Sequence, residues 1–385
     1  MSAQTYTAKE MLGRLVAFDT TSVKTNIPMA EFIRGYLSSH GVESHMVQDP
    51  NGIHTSLFAT IGPADVPGIG LSGHMDVVPV TDQAWDHDPF TMVERDGKLY
   101  GRGTCDMKGY LACVLAAVPI FKKYKLSAPI HIVFSYDEEV GCTGVRPMIA
   151  EMGSRLAKPR IMFVGEPTNM TVVDAHKGGA RYRIDLTGRP VHSSKAPLGV
   201  NAVTFANELL VELYKMAAEI KAMPHNHRFD PPWHTLTVTQ VHGGTSSNIV
   251  PGTAWIGWEI RPMPGFDLAP WEQRIKALAA SLVPQMRAVA PEADIVVHQT
   301  GMVPPFGAEA GSEVVTLCQK LAGQNETFAV PYGTEAGLFQ MGGVPSVVCG
   351  PGDIAQAHTA NEWIEVAELD KCMGFMQRLA DWAKA

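Results

Sequence analysis

Apolar side chains recur at helical spacing twice before residue 41. Met11, Leu12, Leu15, Val16 and Phe18 predict a helix over Lys9–Phe18, and Phe32, Ile33, Tyr36 and Leu37 predict a second over Met29–His40 that Gly41 ends. The period then changes. Leu57–Ile61 and Ile69–Ser72 read as strands separated by the turn-forming GPADVPG. Leu111–Tyr124 is a long apolar helix, while Ile130–Ser135 and Ile161–Val164 are short continuous apolar runs, the pattern of strands buried on both faces. Strands alternating with helices predict an α/β domain with a mixed, largely parallel sheet, in which ligands bind beyond the carboxyl ends of the strands.

From about Gly179 the pattern is different. Ala180–Leu186 alternates, Ala202–Met216 is helical, Thr235–Val241 and Ala254–Ile260 are strands, Trp271–Leu282 is helical and Asp294–Gln299 closes the set. That β-α-β-β-α-β order is a ferredoxin-like split unit, an α+β domain in its own right. With 385 residues, two domains are expected. We assign 1–178 and 304–385 to a catalytic domain and 179–303 to an inserted lid and dimerisation domain, the last stretch returning to the first domain because His358 carries ligand chemistry.

Hydrophobic residues make up 45% and charged residues 18%, enough for large cores. A net charge of -8 with no basic run argues against a nucleic-acid partner. No stretch approaches the length of a membrane span, and the N-terminus lacks a basic start followed by an apolar segment. Six cysteines without a CxxC pair suggest neither a disulfide framework nor a structural zinc site. A cytoplasmic protein with reduced thiols is expected.

Carboxylates and histidines concentrate where the predicted strands end. His74 follows an apolar strand in LSGHMDVVP, and Asp76 points the same way in an extended chain, so it can fix the tautomer of a ligating His. A His–Asp pair capping a strand end is the plainer alternative. Asp106 stands among small and apolar residues in GRGTCDMKGY, where an unpaired ionised acid is costly. It either pairs with Lys108 or Arg102 or bridges two divalent cations, and the glycines fit the second because the backbone must approach closely. Glu138 and Glu139 stand side by side after IHIVFSY; their repulsion is relieved if one binds a metal and the other holds a catalytic proton, the alternative being an exposed acidic turn. Glu166 in VGEP and His358 in GPGDIAQAH complete a set that points to a two-metal hydrolytic site centred on Asp106. Cys105 is assigned to packing.

GHMDVVP, GRGTCDMKG, DEEVG and GEPT, in that order, make the chain resemble the M20 family of co-catalytic metallopeptidases and amidohydrolases over essentially its whole length. The resemblance implies that His74 and Glu166 hold one ion and Glu139 and His358 the other. Asp106 then bridges both, through a peptide to Met107 that is cis in the family, with Asp76 orienting His74 and Glu138 as general base. Mixed carboxylate and imidazole ligands suit Zn²⁺, with Co²⁺ or Mn²⁺ as alternatives.

In the same resemblance His192, in GRPVHSSKAP, reaches the active site of a partner in a homodimer and polarises the scissile carbonyl. Asn248 in TSSNIVPG joins the substrate site, and Arg261 in WEIRPMP takes the substrate α-carboxylate in a bidentate fork, a surface salt bridge being its alternative. Glu166 is similar to the family's deacylases, where carboxypeptidases tend to carry Asp. PYGTEAGLFQMGG and CGPGDIAQAHTANEW place Gly333, Thr334, Glu335 and Gly350 around the substrate, a small N-acyl amino acid. The implied activity is hydrolysis of the N2-acetyl amide of N2-acetyl-L-ornithine to L-ornithine and acetate, in arginine biosynthesis. Other acyl-amino acids (succinyl-diaminopimelate, acetylcitrulline) and peptides are the alternatives. HMDVVP for the commoner HTDTVP, and TANEW for a Pro-Asp pair after the His, depart from the pattern in ways that bear on substrate choice. A non-catalytic binding protein would have lost a base or ligand residue, and none is missing.

Overall fold

The computed structural model describes residues 4–63 and 65–384, which divide into two compact units. The first runs to Ala175 and includes Gly307–Ala329 and the described residues from Thr334 onward; the second comprises His176–Phe306 and Val330–Gly333. Val330–Gly333 goes with the second unit because the Lys177 amide donates to the Val330 carbonyl at 3.1 Å.

The first unit is built on a mixed α/β sheet. Its spatial order runs Ser44–Gln48, Thr55–Ile61, Ile130–Ser135, Ile69–His74, Ile161–Pro167, Ser346–Gly350, Val173–His176. The four strands from Ile130–Ser135 to Ser346–Gly350 are mutually parallel, and antiparallel strands flank them. The central strands are buried along their whole length, as their unbroken apolar runs require. Ser44–Gln48 was not expected from the sequence: it is a half-buried edge strand whose SHMVQ lacks a clear alternation.

Helix Ala8–Val16 opens with a capping box in which Thr7 and Glu10 satisfy each other's amides. Helix Ile27–Ser39 ends at His40, followed by Gly41 in the left-handed region at φ 67°. The expected single helix Leu111–Tyr124 is two, Lys108–Ala116 and Val118–Lys123. Pro119 explains the break, since it has no N–H to continue the ladder. Every residue of Lys108–Ala116 is buried, which matches its all-round apolar sequence and lets it pack against Ile69–His74 and the helices Ala8–Val16 and Val366–Ala383.

In the second unit, strands Gly179–Thr187, Thr235–Gly243, Thr253–Arg261 and Asp294–Val303 alternate with helices Ala202–Lys221 and Ala269–Arg287 in β-α-β-β-α-β order. The antiparallel sheet has the spatial order Thr235–Gly243, Thr253–Arg261, Gly179–Thr187, Asp294–Val303. It has its own core, with Tyr182 stacked on Trp258 at 4.2 Å between centroids. Among the described residues, no helix is long and apolar enough to cross a membrane.

Gly350 shows how tightly the site-bearing strands are pressed together. A Cβ there would lie 2.0 Å from the Gly165 carbonyl oxygen and 2.6 Å from that of Glu166. Gly350→Ala is therefore expected to cost roughly 3 kcal/mol, the upper range for overpacking a core, and to lower the denaturant midpoint without changing the slope. A midpoint equal to wild type would show that the strands part freely.

Candidate active site

Three neighbouring parallel strands deliver acids and an imidazole to one edge of the sheet. His74 is the last residue of Ile69–His74, Glu138 and Glu139 follow the end of Ile130–Ser135, and Glu166 lies near the end of Ile161–Pro167. The register pairs His74 with Ser135 and Ser72 with Val164, which puts Glu166 level with His74.

Asp106 comes from the loop between Lys98–Tyr100 and the helix starting at Lys108, and the peptide joining it to Met107 is cis. The loop turns through Gly103 at φ 81°, where a Cβ would meet Val77 at 2.7 Å. Neither of the cations offered by the sequence pairs with Asp106: the Arg102 Nη1 donates to Glu362 at 2.7 Å and Lys108 Nζ to the Phe18 carbonyl at 2.8 Å. Instead each carboxylate oxygen of Asp106 faces one imidazole. Oδ1 lies 3.1 Å from His74 Nε2, and Oδ2 lies 3.2 Å from His358 Nε2. On the far side His74 Nε2 is 3.8 Å from Glu166 Oε1, and His358 Nε2 is 3.0 Å from Glu139 Oε2.

These separations fit cations. Donors bound to one small ion at about 2.0–2.2 Å in tetrahedral geometry lie roughly 3.3–3.6 Å apart. Ligand atoms of His74, Asp106 and Glu139, and of His74, Glu138 and Glu166, all lie within 4.8 Å of one another. Glu166 Oε1 is buried without a hydrogen-bond partner, a costly arrangement that a metal ion relieves. The donor set suits divalent cations.

Asp76 organises the surroundings. Its carbonyl oxygen lies 2.9 Å from His74 Nδ1, nearer than its carboxylate at 3.5 Å. That carboxylate accepts the amides of Glu138 at 3.1 Å and Glu139 at 3.3 Å and the Ser22 hydroxyl at 2.8 Å. One residue thus sets both the imidazole, through its carbonyl, and the adjacent acids, through its carboxylate. The tie from Ser22 to Asp76 has no local sequence signal, since nothing in DTTS reveals a partner 54 residues away.

The charges are strongly displaced. Burial, with Glu139 and Asp106 close by, pushes Glu138 up to about 8 against the opposing pull of His74. Burial and Asp106 push Glu139 up to about 7, and burial and Asp106 raise Glu166 well above the carboxylate range. Burial opposes charge on His74, yet Asp106 and Asp76 raise its pKa well above the usual value. Asp106 and Glu139 lift His358 to about 10. Burial would raise Asp106, but His358 and His74 hold it below its usual range. Crowding of the carboxylates thus favours protons on the acids and imidazoles around Asp106.

Of the remaining sequence candidates, Glu335 and Gly350 adjoin the cluster: Glu335 is close enough to act on the charge of Glu138, and Gly350 abuts the main chain of Glu166. Thr334 is buried, and its hydroxyl accepts the Ala336 amide at 3.1 Å. Glu335 Oε2 accepts from Ser72 at 3.3 Å while its Oε1 is buried without a hydrogen-bond partner, and burial pushes its carboxyl up to about 7. His192, Asn248, Arg261 and Gly333 belong to the second unit. There the His192 and Asn248 loops meet: the Ser193 amide donates to the Asn248 carbonyl at 2.9 Å, and His192 Nδ1 lies 2.8 Å from the Ser194 hydroxyl. Arg261 Nε donates to Glu259 at 3.1 Å. Cys105 is buried, with its thiol on the Asp353 carbonyl at 3.2 Å.

Carboxylates and imidazoles converging at the strand ends of a mixed sheet are the arrangement of a metal-dependent hydrolase. Residues 70–382 match Peptidase family M20/M25/M40, and the chain belongs to that family. Acetylornithine deacetylase of Myxococcus xanthus is 32% identical over 372 residues, covering 95% of each chain. The Yersinia pestis protein of the same name is 31% identical over 371 residues, covering 95% of this chain and 93% of its own. Among solved structures, the M20 family metallo-carboxypeptidase Sso-CP2 from Sulfolobus solfataricus shares the fold with a TM-score of 0.77 at 19% identity, covering 97% of this chain and 98% of that one. YXEP of Bacillus subtilis, a dinuclear metal binding peptidase, does so with a TM-score of 0.69 at 16% identity, covering 97% and 96%.

The displaced pKa values predict proton release on metal binding. The upward shifts of Glu139, Glu166 and both imidazoles favour protons on groups that must lose them before they can ligate. Apparent affinity should therefore fall as pH is lowered from 8 to 6. Calorimetric titration of the metal-free protein with Zn²⁺, in buffers of differing ionisation enthalpy, should give heats that differ with the buffer; equal heats would refute the charge assignment.

Proposed function

We propose that this M20 hydrolase cleaves the N2-acetyl amide of N2-acetyl-L-ornithine, releasing L-ornithine and acetate, as a step in arginine biosynthesis in the cytoplasm. The observation that carries the substrate is the 31–32% identity to acetylornithine deacetylases across 95% of the chain. In this reading His74 and Glu166 hold one divalent ion, Glu139 and His358 the second, and Asp106 both, with Zn²⁺ the expected metal. Such ions polarise the acyl oxygen and make water acidic enough to attack at neutral pH.

Glu138 is the general base. It takes a proton from the attacking water and later delivers it to the nitrogen of the departing amine. Its position beside Glu139, with the amides of both tied to Asp76, supports this division between a proton carrier and a ligand. Asp76 holds the His74 ring in one tautomer through the Nδ1–H. Arg261 receives the α-carboxylate as a planar fork, and Asn248, Gly333, Thr334, Glu335 and Gly350 shape the rest of the substrate site. His192 serves the site of the other copy in a homodimer, adding a donor to the oxyanion.

Glu138→Gln should lower kcat on acetylornithine by about 10²–10⁴-fold with metal content unchanged. Turnover within tenfold of wild type would remove Glu138 as the base. A panel of acetylornithine, acetylcitrulline, succinyl-diaminopimelate and a dipeptide should give acetylornithine the highest kcat/KM, and another leader would transfer the assignment to that substrate. Mixing inactive His192→Ala with inactive Glu138→Gln should restore part of the activity in heterodimers; none should return if each copy works alone.

A further inference from the structure

Glu362 is four residues beyond His358 and 1% exposed, within the first unit. Its carboxylate accepts four donors. Oε2 takes Arg102 Nη1 at 2.7 Å and the Gly103 amide at 3.0 Å, and Oε1 takes the amides of Cys105 at 2.9 Å and Asp106 at 3.0 Å. The Glu362 carbonyl also accepts the Gly101 amide at 2.9 Å. The loop that presents Asp106 is therefore wrapped around a single side chain.

The connections continue from Arg102, which is itself fully buried. Its Nη2 donates to Gln83 Oε1, and Gln83 Nε2 donates to the carbonyl oxygen of His358 at 2.9 Å. Its guanidinium also lies 5.1 Å from the centroid of the Trp85 ring. An unbroken path thus leads from the Asp106 amide through Glu362, Arg102 and Gln83 to the His358 main chain. Its two ends carry the side chains that meet at 3.2 Å.

A buried ion pair is a poor source of stability, because desolvation cancels much of the Coulomb attraction. Fold stability alone is a weak reason for burying an Arg and a Glu here, whereas fixing two loops against each other needs this geometry. We propose that Glu362, with Arg102 and Gln83, is a positioning clamp that holds Asp106 and His358 at the spacing needed to share a cation. The inference rests on reading those two residues as metal-holding. Glutamine at 362 would present one acceptor oxygen in place of two, turning an NH₂ toward a pair of donors.

The test is Zn²⁺ affinity, measured by competition with a chromophoric chelator on full-length wild type, Glu362→Gln and Gln83→Ala. It is paired with thermal midpoints and amide exchange of the metal-free proteins. Groups that hold ligands in place typically set about 10–100-fold of metal affinity, so Glu362→Gln should weaken at least one of the two ions by that factor. Exchange at Cys105 and Asp106 should quicken in the same variant. Gln83→Ala leaves the Arg102–Glu362 pair intact while removing the bonds from Arg102 and Trp85 and the one to the His358 carbonyl; it should weaken binding roughly fivefold, the worth of the one bond that reaches His358, with a smaller drop in the metal-free midpoint than Glu362→Gln. Wild type that fails to bind two ions would remove the site reading and the clamp together. Wild type that binds two while both variants match it within twofold would overturn the clamp alone. Should Glu362→Gln not fold, Gln83→Ala decides: weakened binding supports the clamp, and unchanged binding overturns it.

Discussion

Asp106 between His74 and His358 is the contact on which the rest of the first unit depends. A carboxylate with one imidazole on each oxygen, and a further acid behind each imidazole, concentrates more negative charge than a buried site tolerates unaided. The raised pKa values of the outer acids and the imidazoles favour protons there, which lessen the repulsion, and divalent ions do so in the family's chemistry. The scaffold keeps the cluster from dispersing. Fully buried parallel strands hold His74 and Glu166 level, and the helix after Asp106 is packed on all sides.

Support for the cluster is shared between few groups. Asp76 uses its carbonyl for His74 and its carboxylate for the amides of Glu138 and Glu139. Glu362 similarly serves several amides of one loop. Single residues that anchor two or three segments make the geometry cooperative: a shift in one ligand is transmitted to its neighbours, so substitutions here should combine non-additively.

Much of this was legible in the sequence where the signal is local. Ile130–Ser135 has the expected bounds, and the acids beyond the strand ends stand where an open α/β sheet binds ligands. The helix break at Ala117 could have been read from Pro119. Other features depend on partners distant in the chain. That Arg102 pairs with Glu362, 260 residues away, and leaves Asp106 to the histidines could not be seen from the GRGTCDMKGY loop, where both Arg102 and Lys108 looked available. Nor could Ser22 be linked to Asp76. The M20 motifs supplied the grouping of ligands that spacing alone left open, because residues that meet in space are separated by stretches of unrelated sequence.

The interruption of the first unit by the block His176–Phe306 has a consequence for biosynthesis. His74, Asp106, Glu138, Glu139 and Glu166 all leave the ribosome before that block, whereas Ser346–Gly350 and His358 follow it. At about 5–20 residues per second, the nascent chain spends many seconds with its acids exposed and one parallel strand of the central set not yet made. The inserted block, whose core is drawn from its own residues, can fold during that pause. Completion of the first unit is thus a late event in translation, and a chain stopped before His358 would carry most of the acidic cluster without its second imidazole.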